Sequence, residues 1–235
     1  MPRTLSVGKF ERIVEGAGSV FARVGYKRAM MSDIADASGV ALGTLYRYAE
    51  TKEELFELAL RRGLGEPGPA VWDSSRAGGG FARSTLEFVR DRFRDEDHFP
   101  VLHETVGRPA PADAAGELEA IAGELYDVID RFHVAIRMLD RSTAHWPELA
   151  KVFAEELRAP IVDALTDYLW RRSREGALRT PSDVPVAARL VVETCATHAM
   201  HRRFSPGGSW TDDETARRTA LEFIVAALEP VRAPA

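Results

Sequence analysis

Cysteine occurs once in the 235 residues, as Cys195, so no disulfide framework can form within the chain and a reducing, cytoplasmic setting is expected. No apolar run approaches the roughly 18 residues that span a bilayer, so no membrane partner is expected. The opening residues, MPRTLSVGKFERIVEG, lack the apolar core of a secretory signal. Alternating apolar and polar positions, the mark of half-buried strands, are missing, and so are internal repeats. There is no P-loop, no Gly-rich dinucleotide fingerprint and no Ser-His-Asp arrangement, which leaves no catalytic residue, no cofactor and no enzyme to expect. Positive charge is also short: the net charge of −5 argues by itself against a nucleic-acid partner.

What is present reads as helices. Hydrophobic residues make up 45% and charged residues 29% of the chain, an ordinary globular balance with enough apolar side chain for a core. The charge is unevenly spread. Residues 1–64 hold ten Lys and Arg against eight Asp and Glu, and the acidic excess lies beyond them. Phe10, Ile13, Val14, Ala17, Val20, Phe21 and Val24 fall on one face of a 3.6-residue period, and Gly25 follows where a helix ends left-handed. Short helices are expected near 31–38 and 41–48, with Gly39 in the turn between them. Thr51-Lys-Glu-Glu54 reads as a capping box, opening a helix with Leu55, Phe56, Ala59 and Leu60 inside. The Gly- and Pro-rich stretch 63–80 reads as a connection. Beyond it the apolar spacing predicts one long helix from Leu118 to Leu139 and another from Pro147 to about 175, kinked at Pro160. Further helices are expected at about 184–204, opened by Pro185, and at 212–229, opened by the box Thr211-Asp-Asp-Glu214.

Three short helices in about 50 residues, with Ala35, Gly39, Val40 and Leu45 at the inner corner, describe a helix-turn-helix. The second helix of such a pair enters the DNA major groove N-terminus first. At i, i+4 and i+8, Ala41, Leu45 and Ala49 are expected to face inward. Gly43, Thr44, Arg47 and Tyr48 are then expected to face out, the glycine admitting a close duplex and the polar groups reaching phosphates or base edges.

The stretch MSDIADASGVALGTLYRYAETKEEL, residues 31–55, with Gly25-Tyr26 before it, resembles the N-terminal domain of the tetracycline-repressor (TetR) family. That family reads D-I-A-x-x-A-G-V-S-x-G-T-L-Y-x-Y-F-x-S-K-E-x-L. The resemblance covers about 55 residues, and the rest matches only in length and helical character. It implies an all-α fold: a DNA-binding head at 1–64, with the helix-turn-helix at about 30–49, and a ligand-binding and dimerisation body at 65–235. It implies DNA contacts from Leu42, Gly43, Thr44, Tyr46, Arg47, Tyr48 and Lys52. Thr44, Tyr46, Tyr48 and Lys52 would grip phosphates, and Leu42 and Arg47 would read bases. Three family hydroxyls are absent, at Ala29, Met30 and Ala41, with Ser32 left to cap the second helix.

The function implied is a ligand-responsive regulator, expected to be a repressor that a small molecule releases from a palindromic operator in double-stranded DNA. The alternative, motivated by the missing hydroxyls, is a small-molecule binding protein with a decayed head. Candidates for the pocket are Phe88, Phe93, His103, Tyr126, Phe132, His133, Trp146, Phe153 and Trp170. A homodimer is implied through the last two helices, where Val191, Cys195, Ala196, Ala199, Leu221 and Val225 are the candidate interface residues. Cys195, His198 and His201, three residues apart, fan across about 120° of helix surface and converge poorly, so no metal site is expected.

Overall fold

In the computed structural model, which describes residues 7–66, 81–94, 98–105 and 107–230, α1 (Val7–Val24) buries the face its period marks. Phe10, Ile13, Val14, Ala17, Val20 and Phe21 are all buried. Gly25 ends it at φ +79° and Gly39 makes the turn between α2 (Met31–Ala37) and α3 (Leu42–Leu45) at φ +63°, backbone conformations where a Cβ is strained. The N-cap of α2 is Met30, with no side-chain cap, and Asp33 accepts its N–H at 3.3 Å. Ser32 therefore lies inside the first turn and does not cap. The helix expected at 41–48 is a single α-turn, continued by the tighter bonds Arg47 N to Thr44 O and Tyr48 N to Leu45 O. α4 (Lys52–Gly63) opens as its box predicts. Thr51 Oγ1 accepts the Glu54 N–H at 3.2 Å, while Glu54 reaches back one residue further, to the Glu50 N–H at 2.7 Å. The connection expected at 63–80 lies, from residue 67 on, outside the described residues.

After α5 (Phe81–Arg94) and α6 (Pro100–Glu104), the helix predicted at 118–139 is two: α7 (Ala114–Arg131) and α8 (His133–Thr143). The chain breaks at Phe132, φ −105° and ψ 16°, although no Gly or Pro marks the place. Pro147 opens α9 (Pro147–Lys151), which runs through a π-helical stretch, Val152–Arg158, into α10 (Ala159–Arg174). The widened turn stands just ahead of Pro160, the residue that has no N–H to give an i−4 carbonyl, so the strain expected as a kink is taken up as a π-turn. α11 (Val184–Ala199) is capped by Asp183 and followed by a 3₁₀ turn, His201–Phe204. α12 (Asp213–Leu228) is capped by Asp212, one residue later than its box predicts, because Asp212 takes the Thr215 N–H at 2.8 Å.

These helices form two compact units, Met1–Asp95 with Phe132–Phe153, and Glu96–Arg131 with Ala154–Ala235. In the first, α1 is the central helix, packed by α2, α4 and α8. In the second, α7 packs against α11 and α12, and α10 against α11. Among the described residues there is no strand and no helix long and apolar enough to cross a membrane. Burial pushes the Cys195 thiol up to about 12, which keeps it protonated, and Sγ donates to the Ala122 carbonyl at 3.7 Å.

Candidate nucleic-acid interface

Leu45, with no exposed surface, and Ala35 pin α2 and α3 together, and Ala49 is buried beside them. With its inner side so fixed, α3 turns Leu42 (42% exposed), Gly43, Tyr46 (47% exposed) and Arg47 to solvent, with Thr44 half-buried. A Cβ on Gly43 would meet no atom within 4 Å. Its φ is also ordinary, so nothing inside the chain requires a glycine there, and the space it leaves is open for a duplex. Arg47 makes no ion pair among the described residues.

Two of the expected contacts stand differently. Tyr48 is 5% exposed and belongs to the core. The tightening after Leu45 rotates residue 48 inward, so the outward placement expected from an ideal 3.6 period fails there. Lys52 is half-buried, and its ammonium donates to the carbonyls of Ala29 at 3.1 Å and Lys27 at 3.4 Å. The same Nζ lies 4.6 Å from the centre of the Tyr26 ring.

Tyr26, to which the sequence assigned no DNA contact, ties this region to the rest of its unit. Its hydroxyl donates to the Glu53 carboxylate and its N–H to Ser142 Oγ on α8 at 3.2 Å. The ring meets Phe56 edge-on at 5.4 Å and lies 6.4 Å from Trp146. Burial, with the bond to Glu53 and that residue's charge, pushes the phenol up, so it stays a donor. Burial alone would raise Glu53, but the Tyr26 and backbone hydrogen bonds and the Lys52 charge together hold it below the usual carboxylate range.

Residues 13–59 match the family model of bacterial regulatory proteins, tetR family, and residues 117–228 match that of the AefR-like transcriptional repressor C-terminal domain. The HTH-type transcriptional repressor KstR of Mycolicibacterium smegmatis is 30% identical over 141 residues, 53% of this chain and 68% of that protein. The chain belongs to the tetR family. The repressor KstR2 of Rhodococcus jostii is 24% identical over 212 residues, 90% of this chain and 87% of that one. The solved ketosteroid transcriptional regulator KstR2 of Mycobacterium tuberculosis shares the fold, with TM-score 0.54 at 18% identity, covering 97% of this chain and 98% of that one.

In this tetR-family regulator the pocket candidates are mostly packing residues. Arg61 lies over the Phe88 ring at 4.1 Å, Phe93 meets Phe132 edge-on at 6.5 Å, and Trp146 belongs to the Tyr26–Phe56 cluster. Tyr126 is buried and donates to the His198 carbonyl at 3.1 Å. His133 and Phe153 are half-buried. His103 and Trp170 are exposed: Leu102 takes the inner side of α6, and Leu165, Tyr168, Leu169 and Arg172 take the inner side of α10. A groove of about 500 Å³ lies along α6, α7 and α12, but none of the nine candidates lines it. Three of its charges serve the fold: Glu124 accepts the Val101 and Leu102 N–H groups, and Asp127 pairs with Arg217 at 2.7 Å, while Glu119 is exposed.

The interface candidates divide by burial. Val191, Cys195, Ala199 and Leu221 are buried within the subunit, while Ala196 and Val225 are half-buried. α11 is apolar on both sides. Ala188, Val191, Cys195 and Ala199 take the side packed within the unit, which leaves Val186 (54%) and Leu190 (60%) exposed. On α12 the exposed apolar residue is Phe223, at 67%. Among the described residues no three His, Cys, Asp or Glu side chains group as a metal site.

Proposed function

We propose that this tetR-family regulator represses transcription by binding a near-palindromic operator as a homodimer, and that a small molecule in the body releases it. The head is residues 1–64, with the helix-turn-helix at about 30–49, and the body is 65–235. The observation that carries the reading is α3 itself. It presents an unpaired Arg47 beside Leu42 and Tyr46, over a glycine that no internal contact requires. Arg47 is the base reader, suited to guanine O6 and N7, and Leu42 suits a thymine methyl. The named repressors among its relatives support the sign of regulation.

Arg47→Ala is expected to lower affinity for the cognate operator by about 1–3 kcal/mol and to relax preference at one base pair. A mobility-shift titration on the region upstream of its own gene, against random duplex, measures both. Equal losses on the two DNAs would remove Arg47 as a base reader. A wild-type protein that shifts neither duplex would leave the reading of a ligand-binding protein with a decayed head.

The ligand side has its own test. A ligand moves an equilibrium only by its differential affinity for the two states. The operator must therefore weaken inducer binding by the same factor by which the inducer weakens operator binding, within about 5–150-fold. Native mass spectrometry of the purified protein identifies a bound small molecule, and calorimetry with and without operator measures the factor. Equal affinities in both states would show that the molecule is not an inducer.

A further inference from the structure

The Lys52 ammonium has three donors and no acceptor capacity. Its partners, the Ala29 and Lys27 carbonyls and the Tyr26 ring, all belong to the turn between α1 and α2. The turn is anchored from below as well, since Ala29 is buried and the Tyr26 hydroxyl is bound to Glu53. Held in this way, it exposes two consecutive cations, Lys27 and Arg28.

Neither side chain makes a hydrogen bond or ion pair among the described residues. Three of the carboxylates near this turn and the start of α4 are engaged, while the Glu50 side chain is exposed. Asp33 accepts the Met30 N–H, Glu53 the Tyr26 hydroxyl and Glu54 the Glu50 N–H. The cations further along α4 are different: Arg61 pairs with Glu57 and Glu66, and Arg62 with Glu11. Unneutralised positive charge is thus kept where the chain enters the helix-turn-helix, in a protein whose net charge is −5. Cations so placed gain free energy on meeting phosphates, because condensed counterions are released.

We propose that Lys27 and Arg28 form a phosphate-gripping turn, and that Lys52 is a positioning residue acting through that turn rather than a phosphate contact. The turn supplies by charge the backbone grip that the hydroxyls missing at positions 29, 30 and 41 do not. This deepens the DNA-binding reading and rests on it.

The test is the salt dependence of binding, measured on a random duplex and on the upstream duplex with the full-length protein. Each contact to B-DNA contributes about 0.9 to the slope of log K against log salt. Lys27→Gln and Arg28→Gln are each expected to lower the slope by about 1.8 for a dimer, twice that value, on both duplexes alike. Both side chains are exposed, so the thermal midpoint should stay that of the wild type. Lys52→Met is expected to lower affinity in the wild-type background and to change nothing further in Lys27→Gln/Arg28→Gln. Unchanged slopes for the Lys27 and Arg28 variants would overturn the turn as a contact. A further loss of slope on adding Lys52→Met to the double variant would overturn its positioning role. A wild type that binds neither duplex would bring down the DNA-binding reading itself, an outcome distinct from binding with slopes unmoved.

Discussion

Phe223→Glu is expected to convert the protein to monomers and to lower operator affinity on the order of 10²–10⁴-fold, the range lost when two linked half-site contacts become one. Phe223 is 67% exposed on α12, and Val186 and Leu190 are 54% and 60% exposed on α11. These two helices pack against each other and against α7, so their inner faces are already satisfied. Large apolar side chains left outside on two adjacent helices call for a partner surface, and a second copy related by a two-fold axis supplies the same patch. A carboxylate there is desolvated in the dimer and brought towards its own copy, while in the monomer it lies in water. The substitution therefore spares the fold and attacks the assembly. Sedimentation equilibrium at micromolar concentration, with a mobility shift on the same samples, checks both halves. A variant that stays dimeric, or a wild type that is monomeric, would remove these helices as the interface.

Glu117→Ala is expected to destabilise the protein by ~3–5 kcal/mol, the range for breaking a buried ion pair from one side. Arg172 has no exposed side-chain surface, yet its guanidinium is well supplied with partners. Nε and Nη2 donate to the two Glu117 oxygens at 2.7 and 3.0 Å, and Nη1 donates to Glu175 at 2.8 Å and to the Arg108 carbonyl at 3.0 Å. The bidentate hydrogen bond to Glu117 is the largest influence on the guanidinium and pushes its pKa up against burial, so it cannot escape by losing its proton. Without Glu117 the charge stays buried and two donors lose their acceptor. Replacing both partners by apolar residues of similar size, Arg172→Met with Glu117→Leu, should recover most of the loss. Urea unfolding of Glu117→Ala and of the double variant against wild type measures this. A loss below about 1 kcal/mol for Glu117→Ala, the scale of an exposed pair, would show that Glu175 and the Arg108 carbonyl suffice.

What the sequence determined by itself is local. The inner faces of α1 and α4 follow from one-sided apolar periods, and every residue those periods place inside α4 is buried. Gly25 and Gly39 take left-handed backbone because glycine has no Cβ to strain it there. The Thr51 cap and the helix-turn-helix come from short-range chemistry of the same kind. Tertiary structure decided whatever had two local solutions. The apolar pattern from Leu118 to Leu139 continues through Phe132 without a breaker, and the chain stops there because α7 and α8 pack in different units. Tyr48 turned inward because the end of α3 tightened over a fixed Leu45. Lys52 carries a charge that suits a phosphate or a carbonyl equally, and only the folded turn at 27–29 brought the carbonyls within reach. α11 is apolar on both faces, so burial against α7 was open to Val186 and Leu190 as much as to Val191 and Cys195. Packing against a neighbouring helix is what assigns the inside, and periodicity says nothing when both sides are equally hydrophobic.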